Sequence, residues 1–179
     1  MTERFSLSRC EIKGQSIMAV VAAMALVQER ALKILASQGI TPLEAERWYP
    51  LERFLEVFRT IHQEIGLNTI KAVGRKIPEN AMFPPNIVTI EDGFRSIDVA
   101  YHMNHRGPGN IGGYHYTSTG ARSGRMVCDN PYPCPMDEGL LEAIGRRFRP
   151  QDSVWTRVEH QSGDCRRNGA ASCTFDLSW

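Results

Sequence analysis

The sequence predicts an α+β fold in which a helical N-terminal part packs on a small antiparallel sheet. Three observations lead there. Apolar residues recur at three- and four-residue spacing through most of the first hundred positions, the period drops to two beyond Pro108, and the change falls at His105-Arg106-Gly107-Pro108. With 179 residues, 42% of them hydrophobic, one domain is expected over 1–179, mainly helical over 1–107. Residues 108–179 should then supply a strand pair, a helix and a terminal hairpin. The 21 basic and 20 acidic side chains leave a formal charge of +1, too little for a broad field that would hold nucleic acid.

Ile17, Val20, Val21, Met24, Val27, Ala31, Leu32 and Leu35 form one helical stripe, predicted to run to about Gly39. Its apolar run, Ile17 to Val27, is eleven residues, short of the roughly 20 that a membrane span needs. The stripe continues past the cleavage-like Ala23-Met24-Ala25, and Glu3 and Glu11 are acidic, which argues against a secretory leader. The cysteines are accordingly read as thiols in a reducing, cytoplasmic setting. Thr41-Pro42-Leu43-Glu44 has the cap, first-position proline and third-position acid of a short helix. Pro50 opens the next, with Leu51, Phe54, Leu55, Phe58, Ile61 and Ile65 on its core face, and Gly66 interrupts it. Ile70, Val73 and Ile77 mark another, which Pro78 and Phe83-Pro84-Pro85 are expected to end. Thr89 caps a helix that buries Ile90, Phe94, Ile97 and Tyr101.

Gly112 to Ser118 and Arg125 to Cys128 read as strands, joined by a loop whose Gly120 and Gly124 supply positive φ. Asn130-Pro131-Tyr132-Pro133-Cys134-Pro135 is rigid and extended. A helix follows, with Leu140, Leu141, Ile144 and Phe148 buried and Arg146, Arg147 and Arg149 near the end that suits cations. Val154 to His160 and Cys173 to Trp179 alternate as a half-buried antiparallel pair.

Two groups of residues invite chemistry. Cys165 and Cys173 bracket a polar loop between strands, and Cys134 precedes a helix, so three thiols and one His or carboxylate would make a tetrahedral zinc site. Buried free cysteines acting as small hydrophobes account for the same pattern. His102 and His105, three apart, either present one face to a metal, haem edge or anion, or satisfy the last carbonyls of a helix. Trp48, Tyr49, Phe54 and Phe58 either line an apolar cavity between helices and sheet or are plain core. Arg146-Arg147-Phe148-Arg149 and Arg166-Arg167 read as solvated ends more than as a phosphate patch. No Gly-x-Ser-x-Gly elbow, Walker loop or dinucleotide fingerprint occurs. An enzyme using Cys134 or a histidine is the weakest reading.

Glu159-His160-Gln161-Ser162-Gly163-Asp164-Cys165, seven intervening residues, and Cys173-Thr174-Phe175 resemble the closing motif of the 4-vinyl-reductase-type small-molecule-binding domains. The same superfamily includes haem nitric-oxide-binding domains and subunits of Golgi transport-particle complexes. The resemblance spans roughly residues 90 to 179. It implies a sensory or ligand-binding fold, in several members with zinc held by three cysteines and an acidic residue. By position these are Cys134, Cys165 and Cys173; the acidic ligand has no counterpart, and His160 or the His102/His105 pair stands in for it. The Tyr-x-Ser-x-Arg element of the haem sensors is absent, so haem ranks below zinc. The resulting expectation is a sensor for a small apolar or aromatic molecule, with Trp48, Tyr49, Phe58, Tyr101, His102 and His105 around the ligand and a protein partner or second copy receiving the signal. A structural interaction subunit without exchangeable ligand, and a haem sensor, are the alternatives.

Overall fold

The computed structural model describes residues 7–80, 83–161, 163 and 165–179, except the side chains of Leu26 and Asn80. Glu3, and Ser162 and Asp164 of the closing motif, lie outside the described residues. Strand β1 (Glu11–Lys13) leads into α1 (Gly14–Ala23), and a 3₁₀ turn at Ala25–Val27 separates it from α2 (Gln28–Ser37). The single long helix expected from the stripe is therefore two. Met24 (φ −98°, ψ 32°) and Val27 (φ −132°, ψ 27°) leave helical geometry, so Ile17 and Val20 face one part of the core, Ala31 and Leu35 another, and Leu32 turns outward.

Thr41 to Glu44 does not start a helix. The Tyr49 hydroxyl donates to Pro42 O at 2.6 Å and accepts from Glu44 N at 2.8 Å, and this clasp delivers the chain to β2 (Trp48–Pro50). Helix α3 (Leu51–Glu64) buries the predicted stripe, and Gly66, at φ +112°, turns the chain into α4 (Leu67–Asn80). Pro78 lies inside α4 instead of ending it: near the last turn its missing N–H costs one intrahelical bond, and its carbonyl accepts from Arg147 Nη1 at 2.7 Å. Helix α5 (Ile90–Met103) has the Thr89 cap, completed as a capping box by Asp92. Beyond it β3 (His105–Arg106) pairs with β1, giving an antiparallel sheet in the order β2-β1-β3.

The second sheet joins β4 (Tyr114–Gly120), β5 (Ser123–Cys128), β6 (Arg157–His160) and β7 (Cys173–Ser178) in the order β4-β5-β7-β6, antiparallel throughout. Neither Gly120 nor Gly124 has the expected positive φ; Gly124 is required by packing, because a Cβ there would lie 2.4 Å from the Tyr116 ring. The strand expected from Val154 begins at Arg157, since Val154 is 85% exposed and Ser153 Oγ turns the chain by bonding Trp155 O. On β7, Cys173, Phe175 and Leu177 face inward as the alternation predicts.

Helix α6 (Cys134–Arg147) lies between this sheet and α4. The two helices cross almost backbone to backbone. A Cβ on Gly74 would sit 2.1 Å from Met136 O, and one on Gly139 2.1 Å from Lys71 O, while Lys71 flanks the crossing with ion pairs to Glu138 and Glu142 at 2.7 and 2.9 Å. Gly139→Ala gains helix propensity but must push a carbonyl aside; overpacking of this kind costs roughly 1–3 kcal/mol. Its melting temperature should fall by several degrees, and an unchanged or raised value by calorimetry contradicts this crossing.

Candidate ligand cavity and thiol cluster

A partly open, mostly apolar cavity of about 80 Å³ lies among α1, α3, α5, α6 and β4, with Val20, Phe54, Phe58, Ile97, Met136 and Leu140 in its wall. His105 enters it from the first position of β3. Its Nδ1 lies 2.7 Å from Tyr101 O, which can only accept, so Nδ1 carries the proton and Nε2 accepts from the Tyr132 hydroxyl at 2.7 Å. Burial pushes the imidazole down to about 4, so it is neutral at pH 7. The other polar wall groups are also satisfied. Tyr101 donates to Ile111 O at 2.8 Å, Tyr114 to Asp137 Oδ1 at 2.7 Å, and Ser16 to Asn104 Oδ1 at 2.8 Å. Burial raises the phenols of Tyr101, Tyr114 and Tyr132, keeping each protonated.

Of the residues expected around a ligand, the fold brings Phe58, Tyr101 and His105 to this cavity. Trp48 and Tyr49 are elsewhere: Trp48 lies under the Arg106 guanidinium at 4.3 Å, and Tyr49 clasps the 42–44 loop. His102 faces outward, half-exposed, its Nδ1 2.9 Å from Asp98 O. The two histidines part because α5 ends between them. Tyr114 and Tyr132 escaped the sequence reading; the signal for Tyr132 was a large aromatic fixed between two prolines.

Cys134 opens α6, Cys173 opens β7, and Cys165 precedes a short 3₁₀ turn. All three are buried, with Sγ separations of 3.5 Å (Cys134–Cys165) and 3.9 Å (Cys165–Cys173). A tetrahedral zinc with bonds near 2.3 Å sets its sulfurs about 3.8 Å apart, so the trio fits three corners. Arg166 donates to Cys173 Sγ from N and Nε, each at 3.4 Å, while its guanidinium also binds Asp137 and Asn130 O. Hydrogen bonds from Cys134 and Arg166 hold the Cys173 thiol below the ordinary thiol range, and the same bond with burial pushes Cys134 up. Burial lifts Asp137 to about 6 against the pull of Arg166.

His160 does not complete this cluster. The β6–β7 register sets it opposite Phe175, where the rings stack at 4.6 Å and the buried Nε2 has no hydrogen-bond partner among the described residues. Among the described residues no His, Asp, Glu or further Cys joins the three sulfurs.

No protein-family model and no curated protein sequence matches the chain. Solved structures do. An H-NOX protein from S. oneidensis in the Fe(II)NO state matches over 93% of this chain and 98% of that one, at 13% identity and TM-score 0.66. A single-substitution variant of Tt H-NOX matches over 93% and 94%, at 14% identity and TM-score 0.66. A third structure, described as modulating haem redox potential through porphyrin distortion, matches over 94% and 95%, at 16% identity and TM-score 0.62. The chain thus has the α+β fold of H-NOX domains.

A haem does not fit the cavity as these side chains shape it. Its volume of about 80 Å³ is well under the roughly 300 Å³ at which drug-sized sites begin, and among the described residues no Lys or Arg lines it to meet propionates. The His105 lone pair that an iron would need is taken by Tyr132. Tyr132-Pro133-Cys134-Pro135-Met136 departs from Tyr-x-Ser-x-Arg at its third and fifth positions.

His105 titrates near 4 when folded and near 6.5 when unfolded, so the unfolded chain binds the extra proton between these values. Its contribution is complete above pH 6.5 and falls by roughly 3 kcal/mol as the pH drops to 4. Denaturant unfolding of wild type and His105→Gln at pH 7 and pH 4.5 measures this. The variant should lose less stability over the interval; equal losses contradict a buried neutral His105.

Proposed function

We propose that the chain is a sensory domain, over residues 1–179, that takes a small, largely apolar molecule into the cavity beneath His105 and Tyr132. The observation that supports this best is an apolar hollow whose polar wall groups already have partners, so that an occupant gains burial without having to supply hydrogen bonds. An occupant larger than the hollow must move Phe58 or Tyr132. Tyr132 is two residues before the start of α6, so its displacement would reach that helix, and from there a protein partner or a second copy of the chain.

In the same reading the three thiols form a structural zinc site of the 4-vinyl-reductase type, tying the β6–β7 hairpin to α6, with a fourth donor other than His160. Bound zinc would supply a cross-link and no reaction, because a full ligand set leaves no open position. Five buried cysteines that form no disulfide suit a reducing, cytoplasmic compartment, and no helix among the described residues is long and apolar enough to cross a membrane. The fold neighbours favour a second reading, a haem sensor, in which His105 would have to give up Tyr132.

Xenon is small enough for the hollow as it stands, and ¹²⁹Xe NMR reads its binding. A bound signal that disappears in Ala100→Leu, whose added methyl groups would fill the cavity, supports the apolar site. No bound signal overturns it, and a stoichiometric Soret band after haemin addition establishes the haem reading instead. Protein purified without chelator should carry about one zinc per chain, lost together with several degrees of melting temperature in Cys165→Ser. Metal-free protein of undiminished stability would remove the zinc site.

A further inference from the structure

On the outer side of Phe58 and Tyr132 is a second, open cleft of about 440 Å³. These two residues line both spaces, and their rings meet edge to face at 5.7 Å, so one aromatic pair is the partition between hollow and cleft. The floor of the cleft is apolar, built from Leu55, Leu67, Ile70 and Pro131. Among the described residues its charged and titratable lining is Arg59, His62, Arg166 and Arg167, with no carboxylate. Two of these cations are already engaged, Arg59 by Glu56 and Arg166 by Asp137. Arg167 differs. It is exposed, lies against the sulfurs of Cys165 and Cys134, and has no carboxylate partner among the described residues. An apolar floor beside an exposed arginine that has no carboxylate partner among the described residues matches a molecule carrying an apolar body and a single acid group.

We propose that this cleft binds a small organic anion, its apolar body on the Leu55–Ile70 floor against Phe58 and Tyr132 and its acid group at Arg167, with Arg59 and His62 alongside. This deepens the ligand-binding reading above by naming a ligand class. It places the recognising charge outside the hollow, where an anion keeps part of its hydration and no buried charge has to be compensated. Ligand seated there presses on the Phe58–Tyr132 partition and so on the His105 hydrogen bond.

The test uses the full chain in its zinc-replete form and two fluorescent probes of similar body: 1-anilinonaphthalene-8-sulfonate, an anion, and N-phenyl-1-naphthylamine, which is neutral. The anionic probe should bind one per chain and more weakly as NaCl is raised from about 0.05 to 0.5 M. Arg167→Glu should weaken it at least tenfold, the exposed Arg59→Glu severalfold, and Arg146→Glu, at the opposite end of α6, not at all. The neutral probe should change less than twofold in every variant, with circular dichroism melts confirming each fold. Absence of anionic-probe binding, wild-type affinity in both Arg167→Glu and Arg59→Glu, equal loss of the two probes, or an equal loss in Arg146→Glu each overturns the proposal. Bound xenon persisting beside any of these results would leave the inner cavity standing and dispose of the anion site alone.

Discussion

The hydrogen bond from Tyr132 to His105 Nε2 is the contact on which the interior depends. It joins the end of α5 to the prolyl segment that launches α6, across the top of an apolar hollow. The carbonyl of Tyr101 fixes the imidazole tautomer, which makes Nε2 an acceptor, and that acceptor makes Tyr132 face inward. Tyr132 then closes the hollow against Phe54 and Phe58 in edge-to-face contacts at 6.3 and 5.7 Å. Removing either partner would leave a buried polar atom unsatisfied, an effect of about 1–3 kcal/mol.

Two residues further on, the same segment supplies Cys134 to the sulfur trio. The cavity and the thiols are therefore two ends of one short, stiff stretch, residues 130–134. Asn130, fully buried, folds this stretch back on itself by accepting from Tyr132 N at 2.9 Å, and Arg166 grips it through Asn130 O. Arg166 in turn reaches Asp137 and Cys173, so the terminal hairpin, α6 and the prolyl segment share one charged knot. Such a knot costs desolvation, which its many hydrogen bonds offset, and it holds the three elements in a single arrangement.

How far the sequence reveals this depends on how local each cause is. The Thr89 cap, the α3 stripe and the alternation of β7 were legible because each is set by residues within one turn, or by every second residue. The Thr41 cap failed because a hydroxyl from outside the segment, that of Tyr49, took the Glu44 N–H a helix would have organised. Strands of two and three residues, as in β1 to β3, are too short to show a period, so the first sheet was invisible. The cysteine trio was suggested by the hairpin that Cys165 and Cys173 bracket and strengthened by the resemblance. The place of His160 was not legible because the β6–β7 register, which sets it on Phe175, is not written in the chain. His102 and His105 separate for a similar reason: one helix end between them sends the first to solvent and the second to the core.

The H-NOX fold is thus present around a small apolar hollow bounded by Tyr101, Tyr114 and Tyr132. The account stands on the state of one imidazole. Long-range ¹H–¹⁵N correlation of the His105 ring at pH 7, in protein without added ligand, should show the neutral Nδ1–H tautomer, with Nε2 unprotonated and shifting when Tyr132 is replaced by Phe. An imidazolium, an Nε2–H tautomer, or an Nε2 resonance indifferent to Tyr132 would contradict it.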